Sequence, residues 1–111
     1  MGASEMAEPL YRVTLRMAIQ PGMEKEFEEA WLAGAARIAD NPGNTGQELS
    51  RGEGDGAYHI VSDWVSKEAF LAYERSTGHQ EHRRSLAPYR SAGEMTTMRM
   101  LYRLAGKGGA E

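Results

Sequence analysis

Two histidines three residues apart are the residues of this chain best suited to proton chemistry. His79 and His82 lie in a segment predicted to be helical, and that spacing places both imidazoles on one face. Imidazole exchanges protons near neutral pH, so either side chain could accept a substrate proton if it faces a pocket. The alternative is a pair of exposed histidines on a helix. With no HExxH pattern and no identifiable third ligand, we predict no metal site.

Two arginines follow these histidines directly. Either Arg83 or Arg84 could hold an enolate or phenolate oxygen through charge-assisted hydrogen bonds, and we take Arg84 as the candidate substrate-binding residue. The alternative is that both are solvated surface residues.

Trp64 is the strongest candidate for an aromatic wall. It ends a predicted strand, and Tyr58 and Ile60 share its face of that strand. Met17 and Met98 could add a flexible apolar wall for a planar ligand. The competing interpretation is that all of these side chains simply fill a core.

The first half of the chain supplies a strand and a helix. Apolar residues alternate from Leu10 to Ile19, which predicts a strand with Leu15 and Met17 on its apolar side. Pro21-Gly22 ends it, and apolar residues then recur at helical spacing from Met23 to Ile38. Asp40 to Gly43 should stop this helix.

The second half repeats the strand and helix order. Gly46 to Arg51 is a weak strand candidate, followed by a glycine-rich turn and a strand from Ala57 to Val65. Ser66 is a good N-cap for a helix that directs Phe70 and Tyr73 inward. Further elements complete the pattern: a helical segment at about residues 79–86 and a last strand over 95–104, with Met98 and Met100 on its core side.

This order, β-α-β-β-α-β, predicts an α+β protein with the ferredoxin-like arrangement, in which two helices cover one face of an antiparallel sheet. The other face mixes apolar with oppositely charged residues, so we expect a homodimer formed through it. A monomer with a half-solvated sheet is the alternative. The residues assigned to that face are Arg12, Arg16, Val61, Asp63, Val65, Arg99, Leu101 and Arg103.

Composition narrows the possible functions. The chain has 111 residues, 41% hydrophobic and 26% charged, as expected for one globular domain. A net charge of -3 without a basic cluster argues against nucleic acid, and no apolar run is long enough to span a membrane. With no cysteine and no secretion signal, we expect a cytoplasmic protein. Residues 1–9 and 105–111 are predicted to be flexible, leaving a domain over 10–104.

The segment from Asp63 to Ser76, DWVSKEAFLAYERS, followed by His79, resembles the strand-to-helix signature of the antibiotic biosynthesis monooxygenase family. Pro21-Gly22 and the acidic start of the helix after it fit the same family. The resemblance covers about residues 10–104. It implies a ferredoxin-like protomer that dimerises through its sheets into an α+β barrel, with a pocket between sheet and helices.

The family's best-known members oxidise anthrone-type aromatic polyketides to quinones with dioxygen as co-substrate and no metal, flavin or haem. The resemblance therefore implies a cofactor-independent monooxygenase of antibiotic or pigment biosynthesis. Trp64 matches the family's pocket tryptophan. Ile60 and Phe70 stand where the quinone-forming enzymes carry an asparagine and a tyrosine, and their first-strand asparagine has no counterpart here.

Three alternatives remain. A polyketide cyclase would use the same dimer and pocket without oxygen, and a non-catalytic dimeric domain would only bind an aromatic ligand. Haem degradation is disfavoured, because the ligating histidine of that branch would fall nearest Arg83, one position beyond His82. No nucleotide, flavin or nucleophile-elbow motif is present in the sequence.

Overall fold

The computed structural model describes residues 10–109 and has the predicted α+β, ferredoxin-like fold. Four strands form one antiparallel sheet in the order β2-β3-β1-β4. The strands are β1 (Leu10–Ile19), β2 (Asn44–Arg51), β3 (Tyr58–Trp64) and β4 (Arg90–Met100). The helices are α1 (Glu24–Ile38), α2 (Lys67–Glu74) and α3 (Thr77–Leu86). A short 3-10 turn, Lys107–Gly109, follows β4.

The turns lie where the sequence predicts them. Gly22, between β1 and α1, has a φ of 88°, a left-handed conformation that favours glycine, and Gly56 in the loop before β3 has a φ of 69°. The Ser66 side chain accepts a hydrogen bond from the backbone N–H of Ala69 at 3.1 Å and so caps α2. Ser76 caps α3 in the same way through the N–H of His79, at 3.2 Å.

The sheet has one face against the helices and one open face. Tyr11, Val13 and Met17 of β1 are buried on the helix side. Arg12 lies on the open face opposite Asp63 of β3, and the two side chains form a two-point ion pair at 2.8 and 2.9 Å. The covered face therefore holds the core, as the alternation in β1 and β3 predicted.

The prediction for the last strand was wrong in its bounds and its faces. β4 covers Arg90–Met100 rather than 95–104, and its pairing with the described part of β1 runs from Ile19 and Arg90 to Leu10 and Met100. Met98 pairs with Arg12, which places it on the open face, and Arg99 pairs with Tyr11 on the helix side. Period-two alternation identifies which residues share a face but not which face is inward. Leu101 and Arg103, also assigned to the open face, lie beyond the end of the strand.

No helix within residues 10–109 is long and apolar enough to cross a membrane. The flexibility predicted for residues 1–9 concerns a segment outside the described residues, as does that predicted for residues 110–111. The flexibility predicted for 105–109 stays a prediction.

Candidate active site

A cavity of about 340 Å³ lies between the covered face of the sheet and the three helices. This volume is at the small end of the range of about 300–1,000 Å³ found for small-molecule sites. Its apolar lining residues are Val13, Leu15, Met17, Trp31, Ile38, Ile60, Trp64, Phe70, Leu86, Gly93 and Met95. Its polar lining residues are Gln47, Ser62, Tyr73, Glu74, His79, His82, Arg83, Arg90 and Glu94.

Trp64 is held in one orientation at the end of β3. Its side chain is only 1% exposed, and its indole Nε1–H donates a hydrogen bond to the Ser62 hydroxyl at 3.1 Å. Its ring stacks on Tyr73 with the centroids 5.0 Å apart, and meets Phe70 edge to face at 5.8 Å. The indole therefore gives the cavity a rigid aromatic wall, while its donor is committed to Ser62.

Tyr73 stands between Trp64 and His79. Its ring meets the His79 imidazole edge to face at a centroid distance of 5.1 Å. Its hydroxyl is buried and has no hydrogen-bond partner among the described residues. Burial raises the pKa of Tyr73 to about 12, so the phenol is neutral at physiological pH.

His79 lies in the first turn of α3, where the Ser76 cap fixes its backbone. Burial lowers the pKa of His79 below its ordinary 6.5, and the nearby charge of Arg83 lowers it further. The backbone carbonyl and the side-chain charge of Glu74 act in the opposite direction. The balance leaves a neutral imidazole at pH 7, which is the form that can accept a proton.

His82 lies one turn further along α3 and packs against α1. Its Nδ1 is buried without a hydrogen-bond partner among residues 10–109. Burial lowers the pKa of His82 as well, and the charges of His79 and Arg37 add to the effect. The cavity therefore borders two imidazoles whose environment favours the neutral state.

The structure brings most of the predicted site residues to the cavity. They are Trp64, His79 and His82 from the catalytic set, with Leu15, Met17, Ile60, Phe70 and Tyr73 from the substrate-binding set. Their roles in catalysis and binding stay predictions.

Three predicted residues do not reach the cavity. Tyr58 is buried next to Phe27, in the same core cluster as the lining residues Met17 and Trp31, and donates a hydrogen bond to the Glu28 carboxylate at 2.6 Å. Met98 lies on the open face and is 40% exposed. Arg84 points away from the lining, because neighbouring residues on a helix project in directions about 100° apart; Arg83 lines the cavity instead.

Other lining residues were missed by the sequence analysis. Met95 was placed within the last strand, but only its pairing with Leu15 shows that it faces the helices. Gln47 lies in the weakly predicted strand, and its side chain donates to the backbone carbonyl of Ala35 at 2.9 Å. Ser62 could have been found from its place between Ile60 and Trp64 on one strand face. Within the described residues, no group of three or more histidine, cysteine, aspartate or glutamate side chains is arranged to hold a metal.

The described residues form a ferredoxin-like α+β protein with a partly open cavity between the sheet and the helices. The family model for antibiotic biosynthesis monooxygenases matches residues 10–85, and the chain belongs to this family. Protein SchA from Streptomyces halstedii is 34% identical over 79 residues, which are 70% of this chain. The chain spans about a fifth (21%) of the length of that relative.

Solved structures share the fold. SnoaB from Streptomyces nogalater, described as a cofactor-independent oxygenase, superposes with a TM-score of 0.73 at 23% identity, covering 81% of this chain and 91% of SnoaB. A protein from Caulobacter crescentus, provisionally named an antibiotic biosynthesis monooxygenase, gives a TM-score of 0.77 at 21% identity, covering 85% of this chain and 92% of that one. At these identities the likeness establishes the fold alone.

Proposed function

We propose that the protein is a cofactor-independent monooxygenase that oxidises a phenolic aromatic polyketide, of the anthrone type, to a quinone. The observation that carries the proposal is the placement of His79 and His82 beside the fixed Trp64–Tyr73 pair in one largely apolar cavity, where burial lowers the pKa of both histidines. Family membership and the likeness to SnoaB support the same reaction class.

In the proposed reaction, a histidine removes a proton from the substrate's methylene carbon and leaves an enolate conjugated with the phenol rings. This electron-rich carbon reduces dioxygen, forms a carbon–oxygen bond and gives a hydroperoxide. Loss of the remaining proton from that carbon breaks the oxygen–oxygen bond, so one oxygen atom becomes the new carbonyl and the other leaves as water. One substrate and one dioxygen thus give one quinone and one water.

The protein's part in this scheme is to bind, orient and remove protons. Trp64, stacked on Tyr73, would hold the aromatic wall in place, and Leu15, Met17, Ile60 and Phe70 would supply apolar contacts that exclude water. Arg83 lines the cavity and would stabilise the enolate oxygen by its charge.

The proposal also places the protein in a homodimer formed through the open face of the sheet. Val61 and Met98 contribute apolar surface there, beside the Arg12–Asp63 ion pair. Such a mixture suits a surface that meets its own copy about a two-fold axis. Val61→Glu should convert the dimer to a monomer in light scattering. The cytoplasmic location stays a prediction.

Oxygen uptake tests the proposed reaction. Purified, metal-stripped protein is mixed with a dihydroxyanthrone such as dithranol in an oxygen electrode, with the same substrate in protein-free buffer as the blank. We expect uptake above the blank and one quinone formed per dioxygen consumed. Gln80→Ala, at an exposed position of α3 between the two histidines, should retain this activity and is the matched control for changes at His79 and His82.

Uptake equal to the blank would contradict the oxygenase. Ring closure of an uncyclised polyketide chain at the same rate with and without oxygen would instead indicate a polyketide cyclase, which consumes no oxygen. Tight binding of the substrate with neither outcome would indicate a non-catalytic ligand-binding domain.

A further inference from the structure

Helices α1 and α3 meet where the imidazole of His82 lies against Gly34. A Cβ atom added at Gly34 would collide with Nδ1 and Cε1 of the His82 ring. The φ of Gly34 is not in the left-handed region, so the missing side chain is explained by the space that the imidazole occupies. An α hydrogen of Gly34 takes the direction of that Cβ, so it points at the ring edge that carries Nδ1.

This contact decides where the neutral His82 ring carries its hydrogen. Nδ1 is buried and has no hydrogen-bond partner among the described residues. A hydrogen on Nδ1 would be a buried donor without an acceptor, and it would face the α hydrogen of Gly34. The lone pair of Nδ1 can instead accept a weak contact from that C–H group. The tautomer with its hydrogen on Nε2 is therefore favoured.

Nε2 is the ring nitrogen that a ligand can reach. The edge with Nδ1 and Cε1 lies against α1, and His82 also lines the cavity, which leaves Nε2 to face it. An Nε2–H group can donate a hydrogen bond to a ligand oxygen, but it has no lone pair with which to take a proton. Protonating the ring would require a hydrogen on Nδ1, so His82 is suited to remain a neutral donor.

His79 is held differently. Its ring packs edge to face on Tyr73, and the backbone carbonyl of Glu74 interacts with its imidazole. A carbonyl oxygen only accepts hydrogen bonds, so the ring nitrogen beside it carries the hydrogen and the second nitrogen keeps its lone pair. His79 therefore has the free lone pair that a base needs, whereas His82 does not.

We propose that the Nε2–H group of His82 donates a hydrogen bond to the substrate's carbonyl oxygen, which becomes the enolate oxygen, and that His79 takes the proton. This inference rests on the proposed function for the reaction, whereas the position of the hydrogen on His82 can be measured without turnover. A neutral donor stabilises the negative charge that develops on this oxygen. Gly34 is a positioning residue, because it closes the place that the other tautomer of His82 needs.

The first test uses the wild-type protein and NMR of isotope-labelled histidine ring nitrogens. At neutral pH we expect a pyridine-type Nδ1 and a pyrrole-type Nε2 for His82, and a nuclear Overhauser effect between the Gly34 α protons and Hε1 of His82. In Gly34→Ala the methyl group should displace the ring and give a mixture of both tautomers. A pyrrole-type Nδ1, or an Overhauser effect to Hδ2 instead of Hε1, would overturn the assignment in the wild type alone.

The second test asks whether His82 binds a carbonyl oxygen. Anthraquinone-2-sulfonate and anthracene-2-sulfonate share their rings and sulfonate and differ in the carbonyl oxygens. The Nε2 resonance of His82 should move when the quinone binds. His82→Leu should weaken quinone binding by about two- to tenfold, the usual range for one neutral hydrogen bond, and leave binding of the anthracene unchanged. Equal weakening of both compounds would overturn the donor role.

Oxygen uptake separates a donor from a base. Glutamine can donate a hydrogen bond but cannot take a proton, so His82→Gln should keep kcat within about tenfold of the wild type. His82→Leu should lower kcat by about 100-fold, as expected when one donor to a developing oxyanion is lost. His79→Gln and His79→Leu should both lower kcat by about 100-fold or more. Equal losses in the two His82 variants would contradict the donor role.

The measurements fail separately. A wild type with its hydrogen on Nε2 of His82 that neither binds the quinone nor consumes oxygen would contradict the proposed function and the donor role, while the role of Gly34 would stand. An active wild type with its hydrogen on Nδ1 of His82 would leave the proposed function standing and overturn this inference.

Discussion

The two halves of the core each bury a tyrosine, and they treat it in opposite ways. Tyr58 packs with Phe27 and donates its hydroxyl proton to Glu28, with the Arg51 guanidinium 5.2 Å above its ring. Tyr73 packs with Trp64 and leaves its hydroxyl without a partner in the described chain. The pKa of each phenol is raised to about 12, with burial as the main cause. Both clusters contribute to the cavity wall, but Tyr58 has a partner for its hydroxyl and does not line the cavity, whereas Tyr73 lines it with an unpaired hydroxyl.

The largest effect should come from truncating Phe27, which does not line the cavity. Phe27 is fully buried, and Phe27→Ala should lower the free energy of unfolding by about 3–5 kcal/mol, as expected for a large core side chain. Phe70→Ala is the matched change in the cluster around Trp64. It should lower the free energy of unfolding by less, because Phe70 already borders the cavity. Urea denaturation of both variants measures the difference. Equal losses of stability would show that Phe27 and Phe70 are packed equally tightly.

Removing the hydroxyl of Tyr58 should have a smaller effect. Tyr58→Phe deletes the hydrogen bond to Glu28, whose exposed carboxylate can return to water. We expect a loss of about 1 kcal/mol in the free energy of unfolding, the usual net value of one hydrogen bond. A stability equal to the wild type would mean that this bond contributes nothing.

The same change at Tyr73 should have the opposite sign. Tyr73→Phe removes a buried hydroxyl that has no partner within residues 10–109, so its desolvation cost disappears. The variant should be as stable as the wild type or more stable by about 1 kcal/mol. A clear loss in the same denaturation assay would show that this hydroxyl is satisfied in solution.

The stability of the protein should also depend on pH, through the two histidines that line the cavity. Burial lowers the pKa values of His79 and His82 in the folded state, so the unfolded chain binds more protons just below pH 6.5, its ordinary value. The free energy of unfolding should be greatest above pH 6.5 and should decrease as the pH drops toward the folded-state pKa values. The double variant His79→Gln/His82→Gln should lose this dependence in thermal melts across pH 5 to 7, whereas His59→Gln should keep it.

Much of this arrangement could be predicted from the sequence, for identifiable reasons. Local signals account for this part: the alternation in β1 and β3 indicates strands, the glycine at 22 indicates a turn, and the serine at 66 indicates the start of a helix. Trp64 and the pair of histidines were found because side-chain type and spacing predict a shared face. These signals were enough for the element order and for most of the cavity wall.

What was missed depends on contacts between distant segments. The faces of β4 follow from its register with β1, which alternation alone does not give, so Met98 was assigned inward and Met95 was overlooked. Gly34 fits the apolar stripe of α1, but its packing against His82 is visible only once α1 and α3 are placed together. Tyr58 shares a strand face with Trp64, yet it lies at the other end of β3, where it packs on Phe27 and does not reach the cavity.

The central claim is that the cavity beside Trp64 is the binding site for a planar aromatic molecule, and calorimetric titration with an anthraquinone tests it most directly. Ile60→Trp should fill the cavity and weaken binding by at least about tenfold, a change of 1.4 kcal/mol. Leu32→Trp, at a position 64% exposed on α1, is the matched control and should bind like the wild type. Unchanged affinity in a folded Ile60→Trp variant would contradict the account.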